Sequence, residues 1–422
     1  MRETPESIAA DRQFPVEALR SSFPALAAGA PFIFFDNAAG AQIPQIALDA
    51  VMQHLVERNV QRGGRYLRSL AVDETIAHAR QSVAEFIHAS EPSEIAFGMN
   101  ATSFMRLVSL AIGESLNARR EFIVTELDHE SNIAAWLALE ARGAQIRWWR
   151  LREDQALHLE DLEPLLSSAT RLVACPVASN ALGSIVDVAG VARIAHAAGA
   201  EVFFDCVHFG PHGPIDVREF GADYLVCSGY KIFAPHMGFL WGRKDALDRL
   251  PAFREFFIPD EAPAKFEVGT FVYENVAGMD AAISYLEYLG QRLGGERAGS
   301  RQKNLRRAME AIREYEKLLS RELVRVLSRA GATIYGASAR EETGKRVPTF
   351  CFNLAGISPS RVVESLAEQG IGARDGHMYS PRLMRRLGLR EESGAVRVSL
   401  VHYNTIAEIE RFGRVLENIA NP

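Results

Sequence analysis

The sequence predicts an α/β fold, with a mostly parallel sheet in a large domain and a smaller α+β domain at the C-terminal end. Short apolar runs alternate with helical patterns through the first two thirds of the chain, which is typical of a parallel sheet covered on both faces. The last third combines one long charged helical pattern with short strands. The length of 422 residues and the hydrophobic content of 48% are ample for two domains. We expect an N-terminal arm over residues 1–20, the large domain over 21–285 and the small domain over 286–422.

The individual elements follow from hydrophobic periodicity, which alternates in strands and repeats about every 3.6 residues in helices. In the large domain the predicted strands are 32–35, 122–125, 145–149, 171–177, 202–205, 224–227 and 239–241, with another beginning at 95. The predicted helices there are 16–23, 44–58, 73–87, 104–112, 133–141, 157–166, 188–198 and 276–289. The small domain is predicted to hold helices 297–330, 359–369 and 405–420 and strands 333–335, 349–354 and 395–400.

Charge and composition disfavour several classes of function. The net charge is −6, and the sequence has no basic tract of the kind that binds nucleic acid or an anionic membrane. It has no apolar run long enough to cross a bilayer and no apolar signal core at the N-terminus. The four cysteines are widely separated and form no CxxC pair, which favours a reduced compartment. We expect a cytoplasmic protein without a nucleic-acid or membrane partner.

Lys231 is the residue around which the chain is organised. It follows a buried-strand pattern at 224–227 and a break at Ser228. Burying a lysine is costly unless its charge is paired or its amine is used chemically, and a desolvated amine can form a Schiff base. The preceding strand, 202–205, ends in Asp205. Since α/β sheets bind ligands at strand carboxyl ends, Lys231 and Asp205 could supply the lysine and the acid of a pyridoxal phosphate (PLP) site.

A plainer interpretation stays open at this point, with Lys231 as a surface lysine and Asp205 as a helix-capping residue.

The turn Asn100-Ala101-Thr102 lies between a strand and a helix. Free backbone N–H groups and the helix dipole make such a turn a ready anion site. Turns of this kind are common, so the signal is weak by itself.

Seven ordered motifs resemble those of class V aminotransferases, and most closely the cysteine desulfurase and selenocysteine lyase branch. The resemblance runs from about residue 20 to the C-terminus. It implies the PLP-dependent transferase fold type I, with PLP as the cofactor. The motifs are Asp36-Asn-Ala-Ala, Asp128-His-Glu-Ser-Asn-Ile-Ala-Ala-Trp136, Ser179-Asn-Ala-Leu-Gly183, Asp205-Cys-Val-His208, Ser228-Gly-Tyr-Lys231, Phe266-Glu-Val-Gly-Thr270 and Arg397-Val-Ser-Leu-Val-His-Tyr-Asn-Thr405.

The resemblance implies a role for each matching residue near the cofactor ring. Lys231 would carry the aldimine, Asp205 would face the pyridine nitrogen as a carboxylate, and His129 would stack on the ring. Asn180 would bond to the ring hydroxyl. His208 would lie near the same oxygen, although this branch usually has glutamine there.

The same resemblance implies a phosphate site and a homodimer. Ser228, the turn Asn100-Ala101-Thr102 and Thr270 would hold the phosphate. In the family the threonine at the position of Thr270 comes from the other subunit. Tyr230 stands where desulfurases often have histidine, and its hydroxyl can still donate to phosphate. Because the turn departs from the usual Thr-Thr-Glu pattern, backbone amides would do most of the binding there.

The substrate end of the site carries one informative departure from the family. Arg397 would grip the substrate carboxylate, a task that suits a bidentate guanidinium, and Arg374 would assist. Cysteine desulfurases carry a nucleophilic cysteine shortly after the Arg-x-Gly-His motif, and Tyr379 occupies that place here. Taking sulfur as a persulfide needs a thiolate. Tyr379 therefore puts the usual desulfurase mechanism in question and is expected to shape the substrate pocket.

We therefore expect a PLP-dependent, cysteine desulfurase-like enzyme with C–S bond lyase type chemistry on cysteine or a cysteine derivative. A class V aminotransferase or an epimerase acting on another amino acid is the alternative, because these reactions share a carbanion at the substrate Cα. A metal-dependent hydrolase using His208, His212 and His236 is a remote alternative, since Gly210 and Pro211 disfavour the helix that such a motif needs. A non-enzymatic dimeric scaffold is a second rival. We expect no bound metal.

Overall fold

The largest layer of the protein is a seven-stranded sheet with the strand order β2-β8-β7-β6-β5-β3-β4. The structure is a computed structural model that describes residues 14–27, 32–295, 299–336 and 344–421. Strand β8 is antiparallel to both of its neighbours, and the other neighbouring pairs are parallel. The strands are β2 (Ile95–Gly98), β3 (Glu121–Thr125), β4 (Gln145–Trp149), β5 (Thr170–Pro176), β6 (Glu201–Asp205), β7 (Tyr224–Ser228) and β8 (Gly238–Gly242).

Both faces of this sheet are buried under helices. Along the central strands, Val173 and Phe204 pack into one hydrophobic cluster, whereas their neighbours Leu172 and Phe203 pack into another. Since successive side chains point to opposite faces, apolar runs without polar alternation are what this layer requires. The helices of this part are α1 (Val16–Arg20), α2 (Pro24–Ala27), α3 (Gln45–Glu57), α4 (Leu67–Phe86), α5 (Ala101–Glu114), α6 (Ser131–Leu137), α7 (Leu159–Leu162), α8 (Val188–Ala197) and α9 (Lys244–Arg249).

A second, antiparallel sheet follows with the order β12-β13-β10-β9. Near the start of the chain, β1 (Ile33–Phe34) pairs in parallel with β11 (Ile371–Gly372), and Asp36 forms a bridge to Ser399. The beginning of the chain therefore lies beside the last strand. The remaining elements are α10 (Tyr273–Gly294), α11 (Arg301–Arg329), β9 (Thr333–Ile334), β10 (Thr349–Asn353), α12 (Pro359–Glu368), β12 (Arg374–Gly376), α13 (Pro381–Arg386), β13 (Ala395–Ser399) and α14 (Ile406–Ala420).

The architecture confirms the α/β prediction with a mostly parallel large sheet. Elements β11, β12 and α13 were not predicted, because they span two to six residues and carry too little periodic pattern. Helix α4 begins at Leu67 rather than at 73. Hydrophobic periodicity does not mark this start, because the apolar residues of the first turn, Leu67 and Leu70, are exposed, with Leu67 itself 86% exposed. The first predicted strand pairs with β11 and not with the large sheet.

The division of the chain into two domains stays a prediction. Helix α10 runs from Tyr273 to Gly294 and so passes through the boundary expected at residue 286. Most of the predicted N-terminal arm, residues 1–13, lies outside the described residues. Within the described ranges, we find no helix that combines the length and apolar character needed to span a membrane.

Candidate active site

A cavity of about 780 Å³ opens at the carboxyl ends of β6 and β7. These strands are parallel neighbours, with Asp205 opposite Val226, so the end of β6 and the short turn Gly229–Lys231 after β7 meet at one edge of the sheet. This is where open α/β sheets bind ligands. The lining includes all but one of the residues predicted from the sequence: Asn100, Ala101, Thr102, His129, Asn180, Asp205, His208, Ser228, Tyr230, Lys231, Arg374, Tyr379 and Arg397.

Lys231 is 9% exposed, and its Nζ donates a hydrogen bond to the carbonyl oxygen of Ala38. Burial, and after it the positive charge of Arg397, lowers the pKa of Lys231 to about 7, although the carboxylates of Asp36 and Asp205 oppose this shift. The amine is therefore partly neutral near pH 7. A neutral, desolvated amine is the form that attacks an aldehyde.

Asp205 is buried at the end of β6, and its Oδ1 accepts a hydrogen bond of 2.9 Å from the backbone N–H of Val207. Burial raises the pKa of Asp205 to about 6, while the bond from Val207 and the charge of Lys231 oppose the rise. The carboxylate stays mostly ionised at neutral pH. A cation placed against it, such as a protonated pyridine nitrogen, would lower the pKa again.

His129 sits in the turn between β3 and α6 and is held in one tautomer. The backbone N–H of Ser131 donates to His129 Nδ1 at 3.1 Å, which leaves the proton of the neutral ring on Nε2. Burial, with the positive charges of Lys231 and Arg397, lowers the pKa of His129 to about 4. The ring is therefore neutral at physiological pH, and its face is free of the charge that would oppose stacking.

Asp128, the residue before His129, stabilises the same turn through hydrogen bonds. Asp128 is fully buried and bonds to the Thr125 hydroxyl and, at 2.8 Å, to the Asn132 side-chain amide. Trp136 Nε1 donates to Asn132 at 3.1 Å and extends the network along α6. The polar motif around His129 therefore fixes the position of the turn.

The start of helix α5 presents backbone donors to the cavity. Asn100 caps the helix, accepting a 2.9 Å bond from Ser103 N–H, and Ala101 N–H donates to Ser228 Oγ at 3.2 Å. A Cβ atom on Gly238 would lie 2.7 Å from the Asn100 backbone, so only glycine lets β8 approach the helix start this closely. The turn lines the cavity, while the side chain of Asn100 is used for capping, so phosphate binding here stays a prediction.

Tyr230 lies beside Lys231 at the same end of the cavity. Its ring stacks on His236 with centroids 5.0 Å apart, and Lys231 Nζ is 4.9 Å from the ring centroid. Burial raises the pKa of Tyr230. The hydroxyl therefore keeps its proton at neutral pH and can donate a hydrogen bond, as predicted for a phosphate ligand.

Arg397 and Arg374 both bind a carboxylate of the protein itself, that of Asp36. Arg397 Nη2 is 3.1 Å from Asp36 Oδ1, and Arg374 Nη2 is 2.8 Å from Asp36 Oδ2. Asp36 opens the first of the family motifs, and the resemblance implied no role for it. The signal was available, since Asp36 directly follows an apolar run, as Asp205 does.

The loop that carries Tyr379 is held by hydrogen bonds to two successive carbonyl oxygens. Asn180 Nδ2 donates to the carbonyl oxygen of Met378 at 2.7 Å, and Glu130 N–H donates to that of Tyr379 at 2.8 Å. Met378 and Tyr379 have φ of 52° and 59°, a left-handed conformation that costs energy for such residues. The Tyr379 ring lies 5.6 Å from that of His129. The role of Asn180 at a ring hydroxyl stays a prediction, since its amide holds this loop.

The three histidines of the metal-hydrolase alternative have separate partners. His208 Nε2 is 3.0 Å from Thr349 Oγ1, His212 Nδ1 is 2.8 Å from Glu316 Oε2, and His236 stacks on Tyr230. Within the described ranges, no three potential metal ligands converge. Burial lowers the pKa of His208 well below its usual value, so it is a neutral ring at the cavity wall.

Thr270 is the one predicted residue outside the cavity lining. It is exposed, and its Oγ1 accepts a 2.7 Å bond from Gln61 Nε2, while Tyr273 donates to Gln61 Oε1 at 2.9 Å. A position away from the cavity of its own chain agrees with a residue that serves a second subunit, which stays a prediction.

Comparison with known proteins covers nearly the whole chain. The family model for class V aminotransferases matches residues 33–412. The aminotransferase-like protein FGM3 of Gibberella zeae is 36% identical over 417 residues, which are 96% of this chain and 98% of that protein. A probable cysteine desulfurase of Synechocystis sp. is 34% identical over 420 residues, which are 94% of each chain.

The chain belongs to the class V aminotransferase family. The apo structure of the cysteine desulfurase from Thermococcus onnurineus NA1 superimposes with a TM-score of 0.85 at 26% identity, covering 96% of this chain and 98% of that one. The resemblance and the fold type I prediction are confirmed. Members of this family are PLP-dependent enzymes, and this chain is a cysteine desulfurase-like member.

The side chains present fit PLP. A lysine with a low pKa lines the same cavity as a buried acid and the start of a 14-residue helix. These three features match the aldehyde, the pyridine nitrogen and the phosphate of the cofactor. The neutral ring of His129 in the same cavity matches a fourth feature of the cofactor, the flat face of its pyridine ring.

The low pKa of Lys231 leads to a testable pH dependence. Labelling of the Lys231 amine by an amine-reactive acyl ester should rise with pH and reach half its plateau near pH 7, because the neutral amine reacts. Peptide mass spectrometry of the protein before PLP loading measures it, with the exposed Lys303 in the same digest as the reference for the reagent. In Arg397→Gln the midpoint should move to higher pH, since a cation beside the amine is removed. A midpoint near that of Lys303 in the native protein would contradict this assignment.

Proposed function

We propose that this chain is a PLP-dependent enzyme that acts on the amino group of an amino acid at Lys231. The observation that supports this most directly is the buried Lys231, with its pKa near 7, at the strand edge shared with Asp205. PLP supplies an electron sink that stabilises negative charge at the substrate Cα. Lys231 would hold the cofactor through its aldehyde and would move a proton to or from the substrate Cα.

The other residues of the cavity hold the cofactor and exclude water. Asp205 binds the pyridine nitrogen as a carboxylate, and the neutral ring of His129 covers one face. Ser228, Tyr230 and the backbone at Thr102 hold the phosphate, in a place where the dipole of α5 favours negative charge. His208, neutral and buried, lies at the wall of the same cavity.

The reaction that we favour is cysteine desulfurase-like, with cleavage of a C–S bond of cysteine or a cysteine derivative. Several relatives named as cysteine desulfurases support this choice. Aminotransfer on another amino acid is the second candidate, and two observations favour it. Tyr379 stands at the position of the nucleophilic cysteine, and all four cysteines of the chain are buried.

The covalent site can be tested by trapping. Borohydride reduction of the PLP-loaded protein should fix the cofactor on Lys231, and Lys231→Ala should abolish the trapped adduct, because Lys231 is the one lysine among the described residues that line the cavity. Fluorescence and peptide mass spectrometry of the digest measure the label. Lys303→Ala, which changes an exposed lysine outside the cavity, is the matched control and should keep it. A label that persists on another lysine in Lys231→Ala would refute the assignment.

The reaction class can be tested with L-cysteine. The visible band of the PLP-loaded protein should change on addition of L-cysteine, with no persulfide on the protein, because the cysteines are buried. The expected products are pyruvate, ammonia and sulfide, or alanine if a second cysteine molecule accepts the sulfur as a free persulfide. Absorbance, product analysis and mass spectrometry measure the three readouts. Tyr379→Phe should leave the PLP content unchanged. A band that does not respond to L-cysteine, while amino transfer to a keto acid is detected, would favour the second candidate.

The enzyme is further proposed to act as a homodimer in the cytoplasm. On α3, Leu48, Met52 and Val56 are exposed at intervals of four and share one helix face. Leu67, 86% exposed, begins the next helix, and Gln61, the partner of Thr270, lies between these helices. Exposed apolar side chains in this number support a protein interface. Burial of these apolar side chains against a second copy of the chain would bring Thr270 towards the phosphate site of that copy.

The proposed cytoplasmic location has separate support. The four free cysteines favour a reduced compartment.

The interface can be disrupted by a single charge. Leu67→Glu should shift the protein from dimer to monomer and reduce PLP retention, because a carboxylate is costly in an apolar interface and Thr270 would no longer reach the partner's phosphate site. Light scattering after size exclusion and the PLP content measure the two effects. Leu110→Glu, on an exposed leucine of α5, should leave both unchanged. A dimer that survives Leu67→Glu would place the interface elsewhere.

A further inference from the structure

The substrate end of the cavity holds two arginines and one carboxylate that bridges them. Arg374 and Arg397 lie opposite each other on the neighbouring strands β12 and β13. Asp36 Oδ2 is bonded to Arg374 Nε at 3.0 Å and Nη2 at 2.8 Å, and Asp36 Oδ1 is bonded to Arg397 Nη2 at 3.1 Å. The bridge forms because Asp36 pairs with Ser399, two residues beyond Arg397 on the same strand.

The two arginines differ in how far they can respond to a ligand. The side chain of Arg397 is 2% exposed, and its Nη1 also donates to the Asn180 carbonyl oxygen at 2.9 Å. The side chain of Arg374 is 39% exposed. Arg397 is therefore a fixed anion ligand, whereas Arg374 has the freedom to bind a second anionic group if Asp36 does not hold it.

We propose that Asp36 is a specificity-determining residue that limits this end of the cavity to one substrate carboxylate. Two guanidinium charges and one aspartate leave a net charge of +1, which a single α-carboxylate neutralises. A second acidic group on the substrate would meet the negative charge of Asp36 and an arginine already bonded to it. The proposal rests on the proposed function and deepens it, since it names amino acids with one carboxylate as the substrate class.

Lys231 interacts electrostatically with Asp36, Arg374 and Arg397, but Asp205 beside it carries the opposite charge, so the pair leaves the balance unchanged when both are ionised. Asp205 and Lys231 belong to the cofactor end, and Arg106 lies on α5, whose first turn forms the predicted phosphate site. A substrate side chain with a second acid would thus depend on Arg374. Removing the Asp36 charge should favour a second carboxylate by roughly ten-fold or more, from the Coulomb energy of two charges a few ångströms apart at an effective dielectric constant of about 20.

The test compares butyrate with succinate, two non-reacting four-carbon anions with one and two carboxylates. Calorimetric titration of the PLP-loaded wild-type protein should give Kd values within about three-fold of each other. In Asp36→Asn, succinate should bind at least ten-fold more tightly than butyrate, and the additional change Arg374→Gln should remove that gain. Asp375→Asn is the matched control, because Asp375 neighbours Arg374 on β12 but is exposed. It should keep the wild-type ratio.

Two outcomes would overturn the proposal. One is a wild-type protein that already binds succinate ten-fold more tightly than butyrate. This outcome is measured without any variant, so it does not depend on whether a variant folds. The other is an Asp36→Asn protein with an unchanged ratio, while its thermal midpoint and PLP content equal those of wild type. Neither outcome bears on the trapped adduct at Lys231, so failure of this proposal and failure of the proposed function can be told apart.

Discussion

The desolvated amine of Lys231 is the constraint on which the rest of the site depends. Taking a charged amine out of water costs several kcal/mol unless it is paired or becomes neutral, and here the cost appears as a pKa lowered to about 7. Arg397 adds to the shift, while Asp36 and Asp205 oppose it. The reactivity of the amine is therefore set by four charged groups, which are Arg397 on β13, Arg374 on β12, Asp205 at the end of β6 and Asp36 shortly after β1. The sheet edge and the pairing of the chain start with the last strand must both form before the site exists.

Much of this arrangement could be predicted from the sequence, because it depends on local pattern and strand order. Asp205 and Lys231 each follow an apolar run, and parallel neighbours deliver their carboxyl ends to one edge. The family motifs then named residues such as His129 and Ser228, which the structure brings to the same cavity. Their chemical roles stay predictions, since geometry places a side chain without showing what it does.

The parts that could not be predicted depend on long-range contacts. Asp36 meets Arg374 and Arg397 only because residues near position 35 pair with strands more than 300 residues later. The use of the Asn180 amide to hold the loop at Met378 is a contact of the same kind. The apolar residues in the first turn of helix α4, Leu67 and Leu70, are exposed, so hydrophobic periodicity could not locate its start at Leu67. In each case the sequence alone does not show whether a distant part of the chain contacts the side chain, or which part does.

The four thiols of the chain limit the reaction more than Tyr379 alone does. Burial raises the pKa of Cys175 and Cys206 well above the usual range, raises that of Cys227, and raises that of Cys351 to about 12. A thiolate that accepts sulfur must be both exposed and ionised near neutral pH, and none of these four groups is either. Sulfur released from a cysteine substrate would therefore leave as sulfide or pass to an external acceptor. Any C–S chemistry here must differ from a persulfide mechanism in the cleavage step itself, because in that mechanism a protein thiolate attacks the substrate sulfur as the C–S bond breaks. Without such a thiolate, the sulfur would leave with the bonding electron pair as sulfide, or an external thiol would have to make the attack.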